Sequence, residues 1–221
     1  VREALLRAID VEGMRKALLP PEYASKPRME AMCLKEHVGC AWTAPHVSYD
    51  PAKAKELLKE AGLAGGFDLA LATWGPAKPI AEAVAGDLRK IGVRASVNAM
   101  PINVFQTARG EGKLQTMATQ WDNAGGAPDI DTTAQFYFPP SSRNYIGDAE
   151  LAAWTAEAAR ELDPKKREAL YAKIFDKANA ERYIMPLVEF PAIMVMSKDV
   201  AVDPNHMKPE GFLMNRLSWT K

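Results

Sequence analysis

Long hydrophobic runs are missing from this 221-residue chain: its apolar stretches break after a few positions, as at Phe190 to Met196. A membrane-spanning helix needs about 20 consecutive apolar residues, and the sequence offers none. Charge of one sign is missing as well. The 28 Lys and Arg balance 28 Asp and Glu, and basic residues never cluster beyond two or three. That removes the electrostatic footprint of a nucleic-acid binder, and acidic or basic tails are absent too. Only two cysteines and three histidines occur. There is no G-x-x-x-x-G-K-[ST] phosphate loop and no serine nucleophile elbow. Gly62, Gly65 and Gly66 lack the preceding strand that a dinucleotide fingerprint requires. What remains is 48% hydrophobic and 25% charged, a globular composition suited to handling a small molecule or another protein, with enough chain to bury a core.

The first residues are informative. Val1, Leu5, Ala8 and Ile9 share one helical face, with no Ser, Thr, Asp or Asn before them to cap the first N–H groups. This reads as a segment of a longer chain, any signal peptide lying upstream. The first helix is expected from about Arg2 to Leu18, ending at Pro20-Pro21. Residues 20 to 49 carry Pro20, Pro21, Pro27, Gly39, Pro45 and both cysteines without periodicity, a long excursion that needs fastening.

Asp50-Pro51 then opens a helix with a capping carboxylate and a proline whose φ is already helical. Leu57, Leu58 and Ala61 form its apolar stripe, and Gly62 ends it. Phe67 to Thr73 reads as a strand covered on both faces, residues 79 to 91 as a helix burying Ile80, Val84, Leu88 and Ile91, and Val93 to Val97 as a second strand. So short a strand–helix–strand unit implies a parallel, right-handed crossover. A short helix near 102–109 and a third strand, Leu114 to Gln120, follow. The class is α/β, an open and mostly parallel sheet flanked by helices. Further on, a short helix lies near Phe136, a helix over 148–162 buries Leu151, Trp154, Ala158 and Leu162, and Asp163-Pro164 opens another that buries Leu170, Ile174 and Ala178. Ile184 to Met196 is expected as two short strands broken at Pro191.

Cys33, His37, Cys40 and His46 form a C-x3-H-x2-C-x5-H pattern. Its spacing is not a familiar zinc pattern, and a Cys33–Cys40 disulfide fastening the loop is the simpler reading, with a metal site or free thiols as alternatives. Asp122, Asp129 and Asp131 admit a paired-carboxylate hydrolase reading, though turn chemistry explains such a cluster as well. The better signal is aromatic. Trp74 follows the first strand and Trp121 the third, and ligands of open parallel sheets bind beyond the carboxyl ends of the strands. Trp74 and Trp121 would wall a site, while Asp122, Asn123 and Asp129 supply polar groups able to meet a cation or amine.

Several phrases, taken in order, carry a resemblance. They are Val1 to Asp10 (VREALLRAID), Tyr49 to Gly62 (YDPAKAKELLKEAG), Gly66 to Leu69, Leu88 to Val93, Leu162 to Tyr171, Ile184 to Leu187 and Ser197 to Val200. Together they resemble the extracellular solute-binding proteins of family 5, the peptide/nickel-type binding proteins of ABC importers. The resemblance implies a type II periplasmic-binding-protein-like lobe, exported to the periplasm or another extracytoplasmic space. It implies residues 1–196 as a C-terminal ligand-binding lobe and 197–221 as a tail returning to an N-terminal lobe of the same full-length chain. A small solute or peptide would be held between the lobes and passed to ABC permease subunits, without catalysis. In peptide-binding relatives a Gly-Trp pair is followed, three residues after the Trp, by an aspartate that holds the peptide amine. Here Gln120-Trp121 takes that place and Ala124 stands at the aspartate position, with Asp122 and Asp129 nearby. The Cys33/Cys40 pair is similar to a cysteine pair of one branch of the family, which implies the disulfide. Without the first lobe, Phe212, Leu213, Met214, Leu217 and Trp219 are expected to pack on their own lobe or to join two copies through residues 205–221.

Overall fold

The computed structural model describes residues 1–33, 37–43, 46–120, 129–141, 144–190, 195–202, 207–208, 211–212 and 217–220. The expected first helix is two. Helix α1 (Arg2–Arg7) stops and α2 (Val11–Leu18) restarts at Asp10, whose carboxylate accepts the Gly13 N–H at 2.8 Å. Asp10 in turn donates its own N–H to Asp87 Oδ2 at 2.9 Å, so the break is anchored from both sides. Aspartate prefers the capping position to a helix interior, and the i+3/i+4 hydrophobic pattern runs through the break unaltered.

After the single turn α3 (Pro21–Ala24), the chain crosses the long excursion to α4 (Pro51–Glu60), which opens as expected with the Asp50 carboxylate on the Lys53 N–H at 2.9 Å. The excursion is fastened along its length. Cys33 and Cys40 form a disulfide, Asn179 Nδ2 donates to the Glu30 carbonyl at 2.8 Å, and the Thr43 N–H and hydroxyl both donate to the Asp176 carboxylate. Asp50 N–H donates to the Arg7 carbonyl at 2.8 Å and returns the chain to α1.

Strand β1 (Asp68–Trp74), helix α5 (Lys78–Lys90) and strand β2 (Arg94–Met100) form the expected parallel crossover, in register from Asp68 opposite Arg94 to Trp74 opposite Met100. Only the later part of β1, Leu71 to Thr73, is covered on both faces; Asp68 and Ala70 are exposed. The turn into this unit requires glycine. Gly66 has φ +72°, and a Cβ there would lie 1.8 Å from the Gly92 carbonyl oxygen. Helix α6 (Ile102–Gly110) leads to β3 (Thr116–Met117), far shorter than the expected 114–120 strand. It pairs parallel with β1 only at Leu71 and Ala72, giving the sheet order β2-β1-β3.

Helices α7 (Asp131–Tyr137), α8 (Ala149–Ala158) and α9 (Pro164–Ala180) make a second layer. Helix α8 ends before Leu162, which is 92% exposed and not part of the core. Trp154 is half-buried, its ring covered by Lys173 with Nζ 3.7 Å from the centroid. Asp163 caps α9 through the Lys165 and Lys166 N–H groups, and Tyr171, Ile174, Phe175 and Ala178 are buried. Leu170 is only partly so. Residues 184–190 form no strand, and Pro191 to Met194 lie outside the described residues. The tail pairs with itself: β4 (Val200–Val202) lies antiparallel to β7 (Leu217–Trp219), and β5 (Met207–Lys208) to β6 (Gly211–Phe212). Trp219 is 75% exposed, and Leu213 and Met214 lie outside the described residues.

Two cores result. One joins α1, α2, α4, α5 and the sheet; the other joins α7, α8 and α9 to the disulfide loop. Among the described residues no helix is long and apolar enough to cross a membrane.

Candidate functional site

The carboxyl ends of the three parallel strands define one edge of the sheet. Trp74 closes β1 and is half-buried against the small cluster of Ala72, Phe105 and Leu114, with Met100 and Met117 packed on the same cluster. Its indole N–H donates to Thr119 Oγ1 at 3.3 Å. Thr119 comes into reach because the Ala118 N–H donates to the Ala72 carbonyl at 3.0 Å and keeps the chain running beside β1 beyond β3. At the start of α6, Ile102 and Val104 are left exposed at the same edge, directly after Met100 ends β2. The edge is therefore apolar, with one indole anchored by a hydrogen bond rather than sunk in the core.

Trp121, Asp122 and Asn123 lie outside the described residues. Asp129, further along the chain, is partly buried and held in place. Arg167 of α9 grips both of its oxygens, Nη1 at 2.9 Å and Nη2 at 2.7 Å, and the Asp131 N–H donates to Oδ1 at 2.8 Å. Burial raises the carboxyl's affinity for a proton, but the Arg167 hydrogen bonds, the Asp131 N–H and the guanidinium charge outweigh it and hold Asp129 below the usual carboxylate range. Asp131 accepts the Tyr171 hydroxyl at 2.7 Å. Both carboxylates thus serve the joint between α7 and α9.

The metal and hydrolase alternatives find no support. The Cys33–Cys40 bond removes both thiolates as ligands, as expected of a fastened loop. Among the described residues no group of three or more His, Cys, Asp or Glu side chains could hold a metal ion. His46 is 7% exposed, and neither ring nitrogen has a hydrogen-bond partner among the described residues. Burial, then the charges of Arg28 and Arg182, push its pKa down to about 4. Buried and under the positive charge of Arg28 and Arg182, the imidazole stays neutral near pH 7.

Sequence reasoning missed three residues that shape this region. Arg167 and Thr119 carry no local signal, since each acts on a partner dozens of positions away. Arg109, 4% exposed on α6, places its guanidinium 4.5 Å from the Phe136 ring centroid and joins α6 to α7. Tyr137 beside it is pushed up to about 12, by burial that the Arg109 charge only partly offsets. Tyr145 adds a hydrogen bond from its hydroxyl to the Arg109 carbonyl at 2.6 Å.

Against this geometry, the family model for bacterial extracellular solute-binding proteins, family 5 (middle region), matches residues 1–144. The glutathione-binding protein GsiB of Salmonella typhimurium is 29% identical to the chain, over 90% of the chain and 41% of its own length. GsiB of Escherichia coli K12 is 28% identical over the same shares. The chain thus spans well under half the length of these relatives. Among solved structures, a dipeptide-binding protein of Pseudoalteromonas sp. SM9913 in complex with Met-Leu is similar at 25% identity. Its TM-score is 0.69, over 80% of the chain and 36% of that structure. The periplasmic binding protein DppA of Helicobacter pylori, in complex with the peptide STSA, shares the fold at 21% identity. Its TM-score is 0.79, over the whole chain and 44% of that structure.

Proposed function

The chain belongs to the bacterial extracellular solute-binding proteins of family 5, and on that premise we propose that it is one lobe of a two-lobed binder serving an ABC importer. The family is one of solute-binding proteins, and the curated relatives are binding proteins. In the proposed protein, the lobe closes on an N-terminal lobe of the same full-length chain in a periplasmic or other extracytoplasmic space, and the solute passes to permease subunits. Closure biased by ligand contacts is the ordinary working motion of such a clamp.

The observation that carries this reading is the edge formed by the carboxyl ends of β1, β2 and β3. There the half-buried Trp74 is anchored on Thr119, and Ile102 and Val104 stand exposed beside it. The proposed ligand face is Trp74 with Trp121, Asp122 and Asn123. Asp129, held by Arg167, is assigned to the root of that face. The ligand class is a small peptide or peptide-like solute, supported by relatives that bind glutathione and a Met-Leu-bound neighbour. Residues 197–221 are proposed to be covered by the first lobe, and in this chain alone by a second copy through residues 205–221, because Trp219 stands 75% exposed.

The test is calorimetric titration of the full-length protein with glutathione and with the dipeptide Met-Leu. Trp74→Ala should weaken the binding of whichever probe the wild type takes by 10-fold or more, with circular dichroism unchanged. Unchanged affinity would remove Trp74 from the site, and no binding of either probe by the wild type would overturn the peptide-like ligand class.

A further inference from the structure

Helix α6, which begins at the binding edge, is held at few points. It has nine residues and no side-chain cap at its start, and the only side chains it buries are Phe105 and Arg109. A helix this short is marginal in water, so those two attachments keep it formed and in place. Phe105 is fully buried in the cluster with Ala72 and Leu114, on which Trp74 packs. Arg109, one turn later on the same face, is 4% exposed and meets α7 instead. Its guanidinium carbon lies 4.5 Å from the Phe136 ring centroid and 5.7 Å from that of Tyr137. The two rings pack edge to face with centroids 4.9 Å apart, and Tyr137 packs on the second core. The Tyr145 hydroxyl closes the joint by donating to the Arg109 carbonyl at 2.6 Å. Burying a guanidinium is costly, and here two aromatic faces and the negative end of α6 offset the cost. An apolar side chain would fill a purely packing position without that cost.

We propose that Arg109 is a positioning residue for the binding edge: by fixing the last turn of α6 to α7, it sets where Ile102 and Val104 stand and holds Phe105 beneath Trp74. This deepens the binding reading above and rests on it for the solute, though not for the placement of α6. Buried as it is, Arg109 acts through α6 and Trp74 rather than by touching the solute.

The test uses the full-length protein with Arg109→Met, which keeps a long side chain and loses its charge, and Tyr145→Phe, which loses one hydroxyl. In Arg109→Met, exchange should become at least 10-fold faster at the Phe105 amide, which donates to the Pro101 carbonyl, and at the Trp74 indole N–H. Helices α5 and α9 should keep wild-type protection. Affinity for the probe the wild type binds, glutathione or Met-Leu, should fall at least 5-fold. Added to Trp74→Ala, Arg109→Met should weaken binding by less than a further 2-fold, since residues acting through one contact are not additive. Tyr145→Phe should accelerate the same two exchanges by about 3-fold, and it decides the matter if Arg109→Met does not fold. Wild-type exchange at Phe105 and Trp74 in every variant that folds, or equal acceleration in α9, would overturn the proposal. So would unchanged affinity, or losses that simply add to that of Trp74→Ala. If the wild type binds neither probe, the peptide-like reading fails, while the two exchange rates still decide whether Arg109 places the edge.

Discussion

His46 should make the stability of this protein fall as the pH drops from 6.5 to 4. The imidazole is 7% exposed, and its neighbours oppose protonation. Arg28 and Arg182 bear on it with positive charge; Glu30, which accepts the His46 backbone N–H at 3.1 Å, is paired with Arg28, and Glu3 lies 3.8 Å from Arg182. The folded-state pKa is pushed down to about 4 from an ordinary 6.5. The unfolded chain therefore takes up a proton on His46 that the folded chain refuses. Stability from this group is complete above pH 6.5 and is lost as the pH falls toward 4. The loss amounts to about 2 kcal/mol at pH 5 and about 3 kcal/mol at pH 4, a large part of the ~5–15 kcal/mol typical of a domain. Asp129, Asp148 and Glu3 also have lowered pKa values, but their ordinary values of 3.8, 3.8 and 4.5 bring their contribution in only at the lower end of this window, below about pH 5. Urea unfolding at pH 7, 6, 5 and 4 measures the slope in wild type and in His46→Phe. The variant should lose most of the pH dependence whatever its stability at pH 7. The same slope in both proteins would refute the reasoning.

Other perturbations have equally definite outcomes. Reducing Cys33–Cys40, or replacing both with serine, should lower stability by about 2.5 kcal/mol, the loop-closure entropy of so short a ring, read as a drop in the denaturant midpoint. Asp163→Ala removes the acceptor for the Lys165 and Lys166 N–H groups and should cost about 1 kcal/mol, with helicity lost at the start of α9 by amide exchange. Gly66→Ala drives a methyl into the Gly92 carbonyl and forces a positive φ on alanine; we expect failure to accumulate folded protein, and a wild-type melting curve would contradict the close approach. Phe105→Ala empties a fully buried site beneath Trp74 and should cost about 3–5 kcal/mol by urea unfolding.

Local chemistry made much of this molecule legible in advance. Asp50-Pro51 and Asp163-Pro164 announce helix starts because a carboxylate and a fixed φ do their work within four residues, and both open helices where expected. Ile80, Val84, Leu88 and Ile91 are buried as their spacing demands, since a helix face pressed on a sheet has few ways to sit. The two cysteines, close in sequence within an aperiodic loop, are bonded. The family resemblance, too, lay in ordered phrases of the sequence.

Tertiary structure decided what depended on distant partners. The apolar pattern through Ala8 and Ile9 could not foretell the break at Asp10, because Asp87, 77 residues on, anchors it. Residues 114–120 have strand composition, but the hydrogen-bonded length of β3 is set by Leu71 and Ala72 alone. Leu162 matched the helical spacing yet fell beyond the end of α8. Asp129 looked like a free carboxylate in a polar loop until folding brought Arg167 to both of its oxygens. Periodicity and capping act over a single turn or strand and are written in the order of the residues. Ion pairs, strand lengths and anchored indoles depend on which surfaces meet, and only the folded chain brings those surfaces together.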